Sequence, residues 1–186
     1  MAVKKPTEEL VVLVDENNVM IGTCPKDGVH TNHTPLHRAF SSFLFNQKGE
    51  ILLQQRSHLK KTWPLMWSNS CCGHPLPEEK TEDAIKRRVL FELGITEIEN
   101  LHEVLPGFRY KAEREGIIEN EICPVWVGYI SQDVTPNSTE VEACKWLGWD
   151  TFVEEIEQRP GNYSEWAGWE VKEIQKKIKA GELALF

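Results

Sequence analysis

The stretch from Ile117 to Ile130 carries two carboxylates, Glu119 and Glu121, inside a segment otherwise written for burial. On a strand, residues two apart point to the same face, so the two acids stand side by side. An isolated Glu-x-Glu is most simply a solvated strand face. Here the neighbours Ile122, Pro124, Val125, Trp126 and Val127 mark a buried strand, where an unpaired carboxylate is expensive. Any fold of this chain must therefore bring counter-charge or a shared cation to that face. The Cys71-Cys72-Gly73-His74 run offers a thiol and an imidazole on a second short segment. His30 and His37 lie upstream in an irregular Thr- and Pro-containing stretch, with His33 between them. His30, His37 and His74 with Glu119 and Glu121 would suit Zn, Mn or Fe in a mixed N/O site, and such ligation does not fix which. Each histidine alone is more simply structural or exposed, and His33, His58 and His102 have no such company.

Cys72 has two readings. Free cysteine is commonly a small buried filler. Beside a cation it can serve as an acid or base whose protonation the cation sets. A thiol next to such a site points to proton chemistry on a carbon atom, not only to hydrolysis. On composition alone Cys71 is a rival, whereas Cys123 reads as core.

The 186 residues suit one domain, with 40% apolar residues for a core and 27% charged residues for a soluble globule. A formal net charge of −8 argues against a nucleic-acid binder but allows a local basic pocket for a small anion. No apolar run approaches the roughly 20 residues of a membrane span, and Met1–Glu9 has no apolar leader core. Five cysteines, an odd number, are expected as free thiols in a cytoplasmic chain.

Leu10–Val14 and Val19–Thr23 flank Asp-Glu-Asn-Asn and read as a hairpin. Phe40–Phe45, then Asn46–Gly49, then Ile51–Gln55 read as a second. Trp63–Pro77 is rich in Pro, Gly, Asn and Ser and reads as a long loop. Thr81–Leu93 is the clearest helix, with Thr81 to cap it, Glu82 and Asp83 at its positive end and Gly94 to stop it. Phe108–Ala112 and Ile117–Ile130 read as strands around Glu113–Gly116, and Lys145–Asp150 as another. Ser164–Lys179 reads as a second helix, stopped near Gly181. Strands predominate early with helices interspersed, which predicts an α+β chain or a mixed-sheet α/β sandwich.

Arg88 and Glu92 share a helix face and can pair; alternatively Glu92 faces the metal loop and Arg88 an anion. Lys26, Arg56, Lys60 and Lys61 lie on segments next to the histidines or the long loop, and together could gather a pocket for a diphosphate. In the last helix Ala167, Val171, Ile174 and Ile178 form a core stripe. Trp166 lies about a quarter turn off it and Trp169 nearly opposite. Trp166 either walls a pocket as a π surface for a cation or packs on a loop or subunit. Tyr110 either reaches Glu121 across a hairpin or packs.

The runs His30-Thr-Asn-His-Thr-Pro-Leu-His37, Trp63-Pro-Leu-Met-Trp-Ser-Asn-Ser-Cys-Cys72-Gly-His74-Pro, Phe108-Arg-Tyr110 and Ile118-Glu119-Asn-Glu121-Ile-Cys-Pro-Val resemble type I isopentenyl-diphosphate isomerase, a branch of the Nudix fold, over about residues 8–180. A Nudix box is present but altered. Gly73, Glu79, Arg87, Val89, Glu92, Gly94 and Ile95 fit it, while Arg88 and Phe91 replace two of its glutamates. Those acids hold metals in Nudix hydrolases, so their loss weakens a hydrolase reading.

The resemblance implies a Nudix-like α/β/α sandwich with a mixed sheet. It implies one divalent metal (Mn2+, Zn2+ or Mg2+) on His30, His37, His74, Glu119 and Glu121. A Mg2+ ion would join the substrate diphosphate to Glu92, with help from the backbone near Cys72. Lys26, Arg56, Lys60 and Arg88 match diphosphate-binding positions. Cys72 and Glu121 match the proton-transfer pair, Tyr110 its hydrogen-bond donor, and Trp166, with Trp169 as rival, the shield of a cationic intermediate. The implied reaction moves the double bond of isopentenyl diphosphate to give dimethylallyl diphosphate, in a monomer or weak homodimer. A hydrolase of nucleoside-linked diphosphates is the competing enzyme, and a binding module on a decayed Nudix fold is the non-enzymatic alternative.

Overall fold

In the computed structural model, which describes residues 9–185, β1 (Leu10–Val14) and β2 (Met20–Pro25) form the expected antiparallel hairpin and lead into the one-turn helix α1 (Lys26–Val29). The stretch read above for a leader lies, up to residue 8, outside the described residues. Next come β3 (His37–Arg38), β4 (Phe40–Phe45), β5 (Glu50–Arg56), β6 (Trp67–Ser68), β7 (Cys71–Gly73) and α2 (Thr81–Leu93). β8 (Glu99–Leu105), β9 (Arg109–Arg114), β10 (Ile117–Ile122), β11 (Val125–Tyr129), β12 (Val141–Gly148), α3 (Trp149–Gln158) and α4 (Glu165–Lys179) complete the order.

One sheet runs β2-β1-β3-β10-β9 and the other β12-β5-β4-β11-β8, with β6 on β5 and β7 on β4. Two parallel segments, β3 into β4 and β10 into β11, pass from the first sheet to the second. The single strand expected from Ile117 to Ile130 breaks at Cys123–Pro124, because proline cannot donate a ladder hydrogen bond. The parallel segments stay joined across the break, from Ala39 N to the Ile122 carbonyl at 2.9 Å and from Ser41 N to the Pro124 carbonyl at 3.1 Å. Glu119 and Glu121 are thereby kept in the first sheet, apart from the apolar strand that follows.

The second hairpin forms only at its turn. β4 and β5 pair at Phe45 and Ile51, and the loop expected over Trp63–Pro77 supplies two short strands between them, β6 on β5 and β7 on β4. Ser70 bonds both sides of the split: its Oγ donates to the Leu52 carbonyl at 2.6 Å and accepts from Leu44 N at 2.7 Å. Cys71, Cys72 and Gly73 are therefore sheet residues, stiffer than a free loop.

Side chains alternate across the second sheet. Phe43, Phe45, Ile51 and Leu53 pack with Phe152, Ile156, Val171 and Ile174 of α3 and α4. Phe40, Leu44 and Leu52 pack with Ala84, Ile85, Val89 and Leu93 of α2. Helices cover both faces, which is the expected α/β/α sandwich with mixed sheets. Gly94 closes α2 at φ 71°, as expected, but Thr81 does not cap it: Lys80 is the N-cap and makes no side-chain bond there. The strand expected over Lys145–Asp150 starts earlier and ends at Gly148, and Trp149 and Asp150 open α3. The stripe of α4 is buried as expected at Ala167, Val171 and Ile174. No helix of the described residues is long and apolar enough to cross a membrane.

Candidate active site

Strand register sets the core of the site. β3 pairs with β10 so that His37 stands opposite Glu121, and β10 pairs with β9 so that Glu121 stands opposite Tyr110. His30 follows α1, and its loop is strapped to β10. Thr34 Oγ1 donates to the Ile118 carbonyl at 2.6 Å, and Ile118 N to the Thr31 carbonyl at 2.8 Å. His74 follows β7. Its carbonyl accepts from Arg87 Nη2 at 3.1 Å, and Arg87 grips Glu79 with two hydrogen bonds of 2.7 Å.

Three imidazoles converge on one carboxylate. Glu121 Oε1 lies 3.1 Å from His74 Nε2, 3.2 Å from His37 Nε2 and 3.9 Å from His30 Nε2. Glu119 Oε2 lies 3.6 Å from His30 Nε2. His37 Nδ1 donates to the Pro35 carbonyl at 2.9 Å, which leaves Nε2 bare in the neutral ring. His30 Nε2 and His74 Nδ1 are buried without a hydrogen-bond partner. Bare ring nitrogens facing bare carboxylate oxygens repel unless a proton or cation lies between them. The donor atoms of His30, His37, His74 and Glu121 all lie within 4.8 Å of one another, so these residues fit a divalent cation with mixed N/O ligands.

The electrostatics agree with that set. Burial opposes charge on Glu121, but the three imidazoles gathered around it hold it well below the usual carboxylate range. Burial and then the Glu121 charge raise Glu119. Burial pushes His74 down to about 3, so its ring is neutral. For His37 burial is again the largest single influence and opposes charging, but the Glu121 hydrogen bond and charge, with the Pro35 carbonyl and Glu119 behind them, together raise it. The Tyr110 hydroxyl donates to Glu121 Oε2 at 2.8 Å. Burial and the Glu121 charge push that phenol well up, so it stays a donor.

A cavity of about 720 Å³ opens beside this cluster. Cys72, His30, His74, Tyr110, Glu119, Glu121 and Trp166 line it, as do the basic residues Lys26, Arg56, Lys60, Lys61 and Arg88. Trp166 stacks on Tyr110 at 5.6 Å between ring centroids and meets Trp63 edge-on at 5.3 Å. Trp169 is 37% exposed and lies outside the lining. The Cys72 thiol donates to Asn69 Oδ1 at 3.2 Å, and burial pushes its pKa far up. Cys71 is fully buried in the core against α2, and Cys123 is also core.

The basic groups are partnered, and two of their partners carry no sequence signal. Lys26 pairs with Glu9 at 2.5 Å and Lys60 with Glu140 at 2.5 Å. Arg88 reaches Glu9 at 3.0 Å and Glu140 at 3.1 Å. Arg56 instead bonds the carbonyl and hydroxyl of Thr62 and lies over the Trp166 ring at 5.5 Å. Glu92 is not brought to the histidine cluster. It is buried against Arg88 and accepts from Gln54 Nε2 at 3.3 Å. His33, His58 and His102 are exposed and bond elsewhere.

Residues 35–167 match the family profile described as NUDIX domain. The chain is 47% identical to the isopentenyl-diphosphate Delta-isomerase of Paenarthrobacter aurescens strain TC1, over 89% of this chain and 90% of that one. It is 44% identical to the protein of the same name from Saccharopolyspora erythraea, over 89% of this chain and 86% of that one. Among solved structures, DR0079 from Deinococcus radiodurans superposes with a TM-score of 0.68 at 16% identity, over 89% of this chain and 98% of that chain, a likeness of fold alone. With this identity sustained over most of its length, the chain belongs to the isopentenyl-diphosphate Delta-isomerase family of NUDIX proteins.

Proposed function

We propose that this protein converts isopentenyl diphosphate to dimethylallyl diphosphate, with Cys72 and Glu121 as the proton-transfer groups. The observation that carries the residue assignment is that Cys72, Glu121, its donor Tyr110 and the Trp166 ring all line one cavity, together with five basic side chains.

The substrate has an unactivated alkene, so one carbon must gain a proton and another must lose one. The species between is a tertiary carbocation that water would capture. Tyr110 holds Glu121 in place, and Glu121 and Cys72 work from opposite faces: one gives a proton to the terminal alkene carbon, and the other takes a proton from the carbon on the far side of the cationic centre, so the double bond moves by one position. Trp166, walled in by Tyr110 and Trp63, offers a rigid π surface to the cation and helps to exclude water. Lys26, Arg56, Lys60 and Arg88 bind the diphosphate, supplying binding energy away from the reacting carbons. His30, His37, His74, Glu119 and Glu121 would hold a divalent ion, Mn2+, Zn2+ or Mg2+. A Mg2+ ion arriving with the diphosphate would use Glu92. Such ions supply fixed positive charge that neutralises the diphosphate and fixes the ligating carboxylates. The setting is a cytoplasmic monomer or weak homodimer acting on a small molecule, with no nucleic-acid or membrane partner.

The hydrolase reading has less support, because Arg88 and Phe91 line the cavity where the Nudix box has acids. Incubation with isopentenyl diphosphate and magnesium in heavy water tests the proposal: deuterium enters product and returned substrate. Cys72→Ala and Glu121→Gln each abolish this exchange with the fold intact. Near wild-type turnover in either variant removes that residue from the chemistry. Release of phosphate from nucleoside diphosphates without isomerisation would restore the hydrolase.

A further inference from the structure

Behind Cys72, on the side of α4, lies a buried polar chain that the reaction above does not use. Glu170 sits on the buried face of α4 between Ala167, Val171 and Ile174, and is 0% exposed. An apolar residue there would match its neighbours and avoid taking a carboxyl out of water. Its Oε2 accepts from Ser41 Oγ at 2.8 Å, while Oε1 is buried with no partner. Ser41 is the β4 residue paired with Cys72 on β7.

The hydrogens of this chain run in one direction. Ser41 gives its hydroxyl hydrogen to Glu170, so its lone pairs face the Asn69 amide, whose Nδ2 donates to it at 2.7 Å. The same Nδ2 faces the carbonyls of Ser42 at 3.1 Å and Cys71 at 3.3 Å. Turning the amide over would aim its oxygen at three acceptors. The Asn69 carbonyl is thus held toward Cys72, whose thiol donates to Oδ1 at 3.2 Å and lies 3.8 Å from Ser41 Oγ. Without Glu170 the Ser41 hydroxyl is free to rotate and turn its hydrogen toward the Cys72 sulfur, while the amide stays held by the Ser42 and Cys71 carbonyls and by the Ser68 hydroxyl, which donates to Oδ1 at 2.8 Å.

We infer that Glu170 is a positioning residue for the isomerase: by taking the Ser41 hydrogen it keeps the Ser41 lone pairs toward Cys72, and so sets the direction in which Cys72 presents its sulfur to the five-carbon substrate. This rests on the assignment of Cys72 as a proton-transfer group. Burial pushes the Glu170 carboxyl well above its ordinary range, against the opposing Ser41 hydrogen bond. That favours the neutral acid, with its carbonyl oxygen taking the Ser41 hydrogen, and glutamine offers the same shape and the same acceptor oxygen.

The test uses the full-length, metal-supplied enzyme with isopentenyl diphosphate. Glu170→Leu is expected to keep or raise the melting temperature, lower kcat about tenfold or more and leave KM within about twofold. The rate at which iodoacetamide alkylates Cys72, followed by peptide mass spectrometry, changes with it. Glu170→Gln recovers at least about a third of kcat. Unchanged kcat and unchanged alkylation in Glu170→Leu would mean that the carboxyl only fills space, and would overturn the inference. Should Glu170→Leu fail to fold, Ser41→Ala interrupts the same chain from the sheet side, and wild-type kcat in that variant overturns the inference equally. Where both fold, the double variant is expected to lose no more than the worse single one, because the residues act in series; multiplied losses refute the chain. A Cys72→Ala enzyme measured alongside separates the two levels. Activity there sinks the role of Cys72, whereas a dead Cys72→Ala enzyme with a normal Glu170→Leu enzyme sinks only the positioning role.

Discussion

Gly73 lies between Cys72 and His74, and its lack of a side chain is what lets β7 close against α2. A Cβ at this position would lie 2.9 Å from Phe40 Cζ, 3.0 Å from Arg88 Cγ and 3.2 Å from Phe40 Cε1. Neither neighbour is a loose end. Phe40 is 0% exposed in the α2 core, and the Arg88 guanidinium is gripped by Glu9, Glu92 and Glu140. Forcing one methyl group into such packing costs about 1–3 kcal/mol. Replacing glycine where φ is ordinary returns about 0.4–1 kcal/mol through the unfolded chain. The net expectation for Gly73→Ala is a loss of about 1–2 kcal/mol, and a drop in Tm of roughly 2–8 °C for a chain of this size. If Arg88 yields, KM for isopentenyl diphosphate is expected to rise too, because the guanidinium is displaced from the cavity lining where we propose it binds the diphosphate. If Phe40 yields, the loss shows in Tm alone. Calorimetry and steady-state kinetics on the same preparation separate these outcomes. An unchanged or higher Tm with unchanged KM would show that the contact between β7 and α2 has slack, and that the glycine is there for another reason.

Tyr110→Phe removes the 2.8 Å hydrogen bond to Glu121. A bond to a charged acceptor contributes about 1.5–3 kcal/mol, so kcat should fall about tenfold to a hundredfold with little change in KM, and wild-type kcat would rule out Tyr110 as the holder of Glu121. Chelation should abolish activity and lower Tm, since an ion at about 100 times its Kd stabilises by roughly 3 kcal/mol; a Tm indifferent to chelation and re-addition would count against the His/Glu cluster as a resident metal site. Burial raises Glu140, but the charges of Lys60 and then Arg88 outweigh this and bring it to about 2. Because the folded value is depressed, that stabilisation is present above the unfolded carboxyl range and is lost as pH falls from about 4.5 toward 2. The stability gap between wild type and Glu140→Gln, followed by urea unfolding, should therefore close over that window, and parallel curves would refute the assignment.

What was legible in the sequence follows the range of the physics involved. The α2 boundaries came from Gly94 and the acidic first turn, and the α4 stripe from 3.6-residue spacing, both of which are local. The Glu119–Glu121 pair was legible because two charges in an apolar strand conflict, and the structure resolves the conflict with three imidazoles. The partner contacts were not legible. Glu140 sits 52 residues from Arg88 in the chain and 80 from Lys60. Glu170 sits 129 from Ser41. A lone glutamate carries no mark that it will be buried beside a cation or beneath a serine. The splay of β4 from β5 was hidden for a related reason. Phe40–Phe45 and Ile51–Gln55 each read as good strands, and nothing in either announces that a third segment will part them. The signal lay in Trp63–Pro77, whose Ser68, Asn69 and Ser70 suit a loop by propensity. In place, those same side chains satisfy the backbone groups that parting the strands exposes: Ser70 bonds Leu52 and Leu44, and Asn69 bonds Ser42 and Cys71. A polar segment that fills a split in a sheet must carry its own donors and acceptors, and it is this requirement that seats Cys72 on a strand facing the cavity.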